Sequence, residues 1–151
     1  METSNEKSTA TLIHLTTLCQ YIIPFSSFIL PLLIWSNKKH ESKFIDHHGK
    51  QALNFQLSIF LYSIVFLVIA IPTFIVWLIN TIDFTKLEEQ ELFFNNLITN
   101  QNITGYAILG FIAILLLFFV KLGEFFLIIY ASAKTSNGEY YKYPLTIPFL
   151  K

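Results

Sequence analysis

The sequence predicts an all-α, polytopic integral membrane protein, on three observations. Hydrophobic residues make up 54 % of the chain and charged residues 13 %, about half the roughly 25 % charged share of a soluble domain. Three apolar stretches, about 9–35, 51–79 and 103–133, each exceed the roughly 20 residues that a helix needs to cross about 30 Å of hydrocarbon. Charges collect between these stretches rather than within them. With 151 residues the chain is sized for one domain, and its mean hydropathy is +0.55. Ten basic and ten acidic residues cancel, so no global field favours nucleic acid as a partner. The single cysteine, Cys19, allows neither an internal disulfide nor a CxxC motif.

Residues 1–8 are polar and read as a flexible leader without the basic region or cleavage site of a signal peptide. Residues 9–151 then form a single helical membrane domain. The first stretch is broken at Pro24, with Pro31 further on, because a proline removes a backbone donor and clashes with the preceding turn. The pieces flanking Pro24 are each too short to span alone at about 1.5 Å per residue. One kinked span or a re-entrant pair of half-helices both fit, which makes three to four membrane helices in total. Pro72 should kink the second stretch near its far end.

Lysines set the orientation. The connector 36–50 holds Lys38, Lys39, Lys43 and Lys50, and the tail 134–151 holds Lys134, Lys142 and Lys151; the connector 80–102 holds only Lys86. Positive-inside counting puts the first connector and the C-terminus in the cytoplasm and the second connector outside. Trp35 and Trp77 fall where interfacial belt residues belong. Residues 85–98 read as a helix lying on the outer interface.

Three groups of side chains are candidates for a role. Lys121 and Glu124 interrupt the third stretch at i and i+3, so they share a helix face and can pair. Inside hydrocarbon each charge would cost about 2.5 to 3.5 kcal/mol, and such pairs often mark an ion or proton path. The alternative is structural: 18 uncharged positions, Ile103–Val120, precede Lys121, which then snorkels to the interface. The second group opens the second stretch. His47, Gln51, Asn54 and Ser58 recur at helical spacing as one polar stripe that should face other helices. Asp46 before them is placed to cap the helix N-terminus. The third group is the tail motif Asn137, Gly138, Tyr140, Tyr141, Tyr143 and Pro144. Asn-Gly ends a helix, Pro144 prevents its resumption, and the tyrosines beside Lys142 suit the headgroup layer.

Signals for an enzyme are missing: the chain has no glycine-rich phosphate loop, no G-x-S-x-G and no HExxH. The expectation is a non-enzymatic chain without cofactor. A metal held by Asp46, His47 and His48 is disfavoured, since adjacent histidines point about 100° apart on a helix. His14, near Thr11, Thr17 and Tyr21, reads as a packed core histidine.

The segments Ile23-Pro24-Phe25 through Pro31 to Trp35, Phe44-Ile45-Asp46-His47-His48-Gly49-Lys50-Gln51-Ala52-Leu53-Asn54-Phe55-Gln56, and Asn137-Gly138-Glu139-Tyr140-Tyr141-Lys142-Tyr143-Pro144-Leu145 together resemble the bacterial Tic-twenty-like small membrane proteins. The resemblance covers nearly everything after Ser8 and implies a multi-pass protein of the bacterial cytoplasmic membrane. It supplies no catalytic residues. The expected function is that of an accessory or scaffold subunit, linked by the resemblance to protein translocation or membrane assembly. Its expected partners are the lipid bilayer and other membrane subunits or further copies of itself. The alternative is a small transporter or channel subunit that uses Lys121 and Glu124.

Overall fold

The computed structural model describes residues 2–81 and 101–151. They form four α-helices and one short 3-10 helix, and there is no strand among the described residues: α1 (Ser4–Thr16), the 3-10 turn (Thr17–Tyr21), α2 (Ser26–Lys38), α3 (Lys43–Thr81) and α4 (Gln101–Ser136). Two of these are long and apolar enough to cross a membrane, over Lys43–Leu78 and Gly105–Ser136. With 13 residues each, α1 and α2 are not. The helix expected over 85–98 lies outside the described residues.

Residues 4–8 belong to α1 rather than to a loose leader. Thr3 and Glu6 form a capping box: the Glu6 N–H donates to Thr3 Oγ1 at 3.3 Å and the Thr3 N–H donates to Glu6 Oε2 at 2.6 Å. The Thr3 backbone donor holds the Glu6 carboxyl below its usual range. The helix tightens into the 3-10 turn and stops at Pro24. The Ile22 and Ile23 N–H groups donate back to Cys19 O at 3.0 and 2.9 Å, and Phe25 adopts a left-handed φ of 64° that redirects the chain. The chain then starts α2, whose far end returns to the start of α1: Ser42, just past it, lies near the Glu6 carboxylate and helps to lower its pKa. The first stretch is therefore a helical hairpin. The second interruption expected at Pro31 does not occur, since α2 runs through it with Pro31 buried. A missing N–H there removes one bond of a packed turn, whereas before Pro24 the helix has already ended at Tyr21 and the left-handed Phe25 starts α2 in a new direction. Likewise α3 is continuous through Pro72.

The helix α3 begins earlier than the hydropathy suggests, so the connector 36–50 contracts to residues 39–42. Its cap is Ser42, not Asp46: the Phe44 N–H donates to Ser42 Oγ at 3.1 Å. At the other end of the chain, Gly138 (φ 85°) closes α4. The Gly138 N–H donates to Thr135 O at 2.9 Å and the Glu139 N–H donates to Lys134 O at 3.1 Å, the paired bonds of a Schellman cap.

The chain divides into two compact units. The first, Met1–Leu61 with Lys121–Lys151, holds the hairpin, the first part of α3, the last part of α4 and the tail. Ile13, Ile45 and Ala52 form a core there, covered by Ile34 and Trp35. The second is Tyr62–Val120. Its described parts of α3 and α4 are mostly apolar outward: Val68, Ile71, Phe111 and Phe118 are all exposed, while Ala70 and Ala113 are buried. A Cβ on Gly110 would lie 3.0 Å from Thr73 Oγ1, the close approach that small residues allow between membrane helices.

Candidate functional site

The polar side chains of the first unit converge on three connected arrangements. The first is a buried histidine pair. His14 sits in the last turn of α1 and His48 in the second turn of α3, and both are fully buried. His14 Nε2 lies 2.9 Å from His48 Nδ1, and the Tyr143 hydroxyl lies 2.9 Å from His14 Nδ1. Thr135 of α4 places Oγ1 3.2 Å from His48 Nδ1 while donating to Ala131 O at 2.8 Å. Burial pushes the Tyr143 phenol well above its ordinary pKa, so it keeps its proton and donates to His14. We assign His14 the tautomer that accepts at Nδ1 and donates from Nε2 to His48. Burial, with His48 and His47 close by, lowers the His14 pKa to about 3, so the ring is neutral at physiological pH. Hydrogen bonds thus tie α1, α3 and the tail, and Thr135 of α4 packs against His48.

The second arrangement is a rail for the tail. His47 Nε2 donates to Tyr141 O at 3.1 Å, and the Tyr143 N–H donates to Gln51 Oε1 at 3.4 Å. The Ile147 N–H donates to Ser58 Oγ at 2.9 Å. Asn54 makes both bonds with Leu150: Nδ2 donates to its carbonyl at 3.0 Å and Oδ1 accepts from its N–H at 2.8 Å. The stripe expected to face other helices instead satisfies the backbone of an extended segment, which carries a donor and an acceptor at almost every residue. The tail is accordingly not a free tyrosine cuff. Tyr143 is buried and stacks on Phe55 with centroids 4.0 Å apart, while Tyr140 and Leu145 stay exposed.

The third arrangement is the carboxylate of Glu124, 1 % exposed. Lys121 Nζ donates to its Oε2 at 3.0 Å, and Gln20 Nε2 donates to its Oε1 at 2.6 Å. The lysine keeps 41 % of its side chain exposed and the glutamate none. Both oxygens are therefore engaged, one of them by a residue of the hairpin that the sequence reading did not connect to it.

Asp46, His47 and His48 diverge. Asp46 accepts from the Trp35 indole N–H at 3.0 Å and from Lys50 at 2.7 Å, His47 turns to the tail and His48 to His14. No group of three or more His, Cys, Asp or Glu side chains arranged to hold a metal occurs among the described residues. In the second unit a cleft of about 280 Å³ is lined by Thr73, Phe74, Trp77, Tyr106, Gly110 and Phe111, among others, and is almost wholly apolar.

A family model described as the magnetosome magnetite crystal formation protein family, MamF/MmsF, matches residues 5–150. The chain belongs to this family. No curated protein and no solved structure matches the chain. Membership in MamF/MmsF corrects the Tic-twenty-like resemblance, and the expected link to protein translocation goes with it. The order and spacing of the Pro-Phe, Asp-His-His and Asn-Gly segments belong to a chain that matches MamF/MmsF over nearly its whole length. Two apolar helices together with a magnetosome family make it a membrane protein.

Proposed function

We propose that this MamF/MmsF protein is a non-enzymatic accessory subunit embedded in a membrane where magnetosome crystals form. In this reading α3 and α4 cross the bilayer, and the α1–α2 hairpin enters and leaves on one side. Lys38, Lys39 and Lys43 around the 39–42 turn and Lys134 at the end of α4 face the cytoplasm. The observation that carries the reading is the direction in which polar and apolar groups point. Glu124, Asn54, Ser58, His14 and His48 are buried and bonded to this chain's own groups, whereas Ile22, Phe25, Phe111, Phe118 and Phe126 open outward. Buried polar networks of this kind fix a unique packing, and outward apolar surface is met by lipid and by neighbouring membrane subunits. Partners are accordingly lipid, further copies of this chain, or other membrane proteins of the same compartment.

The transporter reading has less support. Lys121 and Glu124 do pair, but the carboxylate is closed off by Gln20 and Lys121 rather than presented to a path. Reconstitution separates the two readings. The accessory role predicts no ion flux across liposomes carrying the purified protein, together with defined crosslinked oligomers or complexes in native membranes. Flux that is lost in Glu124→Gln would overturn it.

A further inference from the structure

The α1–α2 hairpin turns at its most exposed large apolar residues. Ile22 is 85 % exposed and Phe25 65 %, with Tyr21 and Ile23 also open. Water does not favour four large apolar side chains grouped at one turn, but acyl chains accept them. The depth of this turn can be read against α4. Gln20 bonds to Glu124, and the Tyr21 ring meets the Phe125 ring at 6.1 Å. Further along α4, Tyr130 meets Tyr141 at 5.5 Å and lies under Lys134, the aromatic-and-lysine company of a membrane interface. From Tyr130 back to Phe125 and Glu124 is five and six residues, roughly 7 to 9 Å of helix rise. Half of a hydrocarbon core is about 15 Å, so the turn reaches into one leaflet and stops there. The polar ends of both helices, with Glu6 and Lys7 on one and Lys38 and Lys39 on the other, lie at the opposite end of the hairpin, where Glu6 meets Ser42.

We propose that the α1–α2 hairpin is a one-leaflet wedge that binds phospholipid acyl chains and favours curved membrane. This inference rests on the re-entrant placement given above. Two helices of about 10 Å diameter add area to the leaflet they enter. Among the described residues, only α3 and α4 are long enough to add area to both leaflets. The expanded leaflet relaxes by becoming the convex one, so the membrane bulges toward the side from which the hairpin enters. Apolar bulk at Ile22, Ile23 and Phe25 sets the strength of the effect, because these side chains displace the acyl chains.

Full-length protein in giant phospholipid vesicles with pulled membrane tubes tests this. The exposed residue His40 is changed to cysteine in a Cys19→Ser background and labelled from outside with an impermeant dye. Only molecules whose hairpin enters from outside then fluoresce. The wedge predicts a dye density in the tube severalfold above that in the flat membrane, rising as the tube narrows. The triple variant Ile22→Ser, Ile23→Ser, Phe25→Ser, all at exposed positions, should bring that ratio back toward one with helix content unchanged. A wild-type ratio of one at every tube radius overturns the wedge. Quenching of a dye on Ile22→Cys by lipids brominated at mid-leaflet keeps the two ideas apart. Quenching with a ratio of one removes the wedge alone, whereas absence of quenching removes the re-entrant placement and the wedge together.

Discussion

The indole of Trp35 fills the space that a side chain on Gly49 would need. Its N–H donates to Asp46 three residues earlier on α3, and Lys39 sits 4.9 Å over the ring. This one contact joins the end of α2 to the start of α3 and seats Trp35 against the core of the first unit. Gly49→Ala should therefore destabilise the protein by about 1–3 kcal/mol through overpacking, despite the roughly 1 kcal/mol that alanine gains over glycine within a helix. Thermal unfolding in mild detergent reads the sign. Adding Trp35→Leu should make Gly49→Ala nearly harmless, since the clash is with the indole.

Glu124 and Lys121 are unequal partners. Lys121→Leu leaves a fully buried carboxylate with Gln20 as its one remaining donor, and should lower stability by about 3 kcal/mol or more. Glu124→Leu leaves a lysine that is 41 % exposed rather than shut inside the protein, and should cost less. The double variant should recover most of the Lys121→Leu loss. Losses that simply add in a double-mutant cycle would show that the two charges do not interact.

The membrane class, the long helices and the break at Pro24 are legible in the sequence because hydropathy, proline and Asn-Gly act locally. The stripe of His47, Gln51, Asn54 and Ser58 is legible as a stripe, but its partner is not. Backbone groups some 90 residues away leave no periodic mark, so an extended tail could not be told from a neighbouring helix. The same holds for the network of His14, His48, Thr135 and Tyr143, and for Gln20 reaching Glu124. Gly49 and Gly110 are the hints of close approach, since a glycine within a helix usually has a packing reason. The start of α1 was readable too, from the Thr-x-x-Glu of its capping box. The order of the Pro-Phe, Asp-His-His and Asn-Gly segments resembles one family, whereas residues 5–150 taken together match another.

The tail should depend on Asn54, which alone makes both backbone bonds of Leu150. Asn54→Ala removes both and should cost about 1–3 kcal/mol. Carboxypeptidase digestion should shorten this variant well before the wild type. Equal digestion rates would mean that the rail does not hold the tail.

Acid should loosen the first unit before it touches the carboxylates. His14 titrates near 3 in the folded protein against about 6.5 when unfolded. Below pH 6.5 the unfolded chain therefore binds the extra proton and the folded chain does not. Stability from this group is complete above pH 6.5 and is lost as pH falls toward 3, on the order of a few kcal/mol in all. The midpoint of thermal unfolding should drop between pH 7.5 and pH 5, and His14→Gln should flatten that slope. An unchanged slope would place the acid sensitivity elsewhere.

The re-entrant placement puts the N-terminus, the turn between α2 and α3, and the end of α4 on one side of the membrane. Single cysteines at Asn5, His40 and Ser136, all exposed, each in a Cys19→Ser background, test it with an impermeant maleimide on intact cells and again after permeabilisation. The re-entrant hairpin predicts that all three are protected in intact cells and react only once the membrane is opened. Reaction at Asn5 in intact cells with protection at His40 would mean that the first stretch crosses the membrane, and would contradict it.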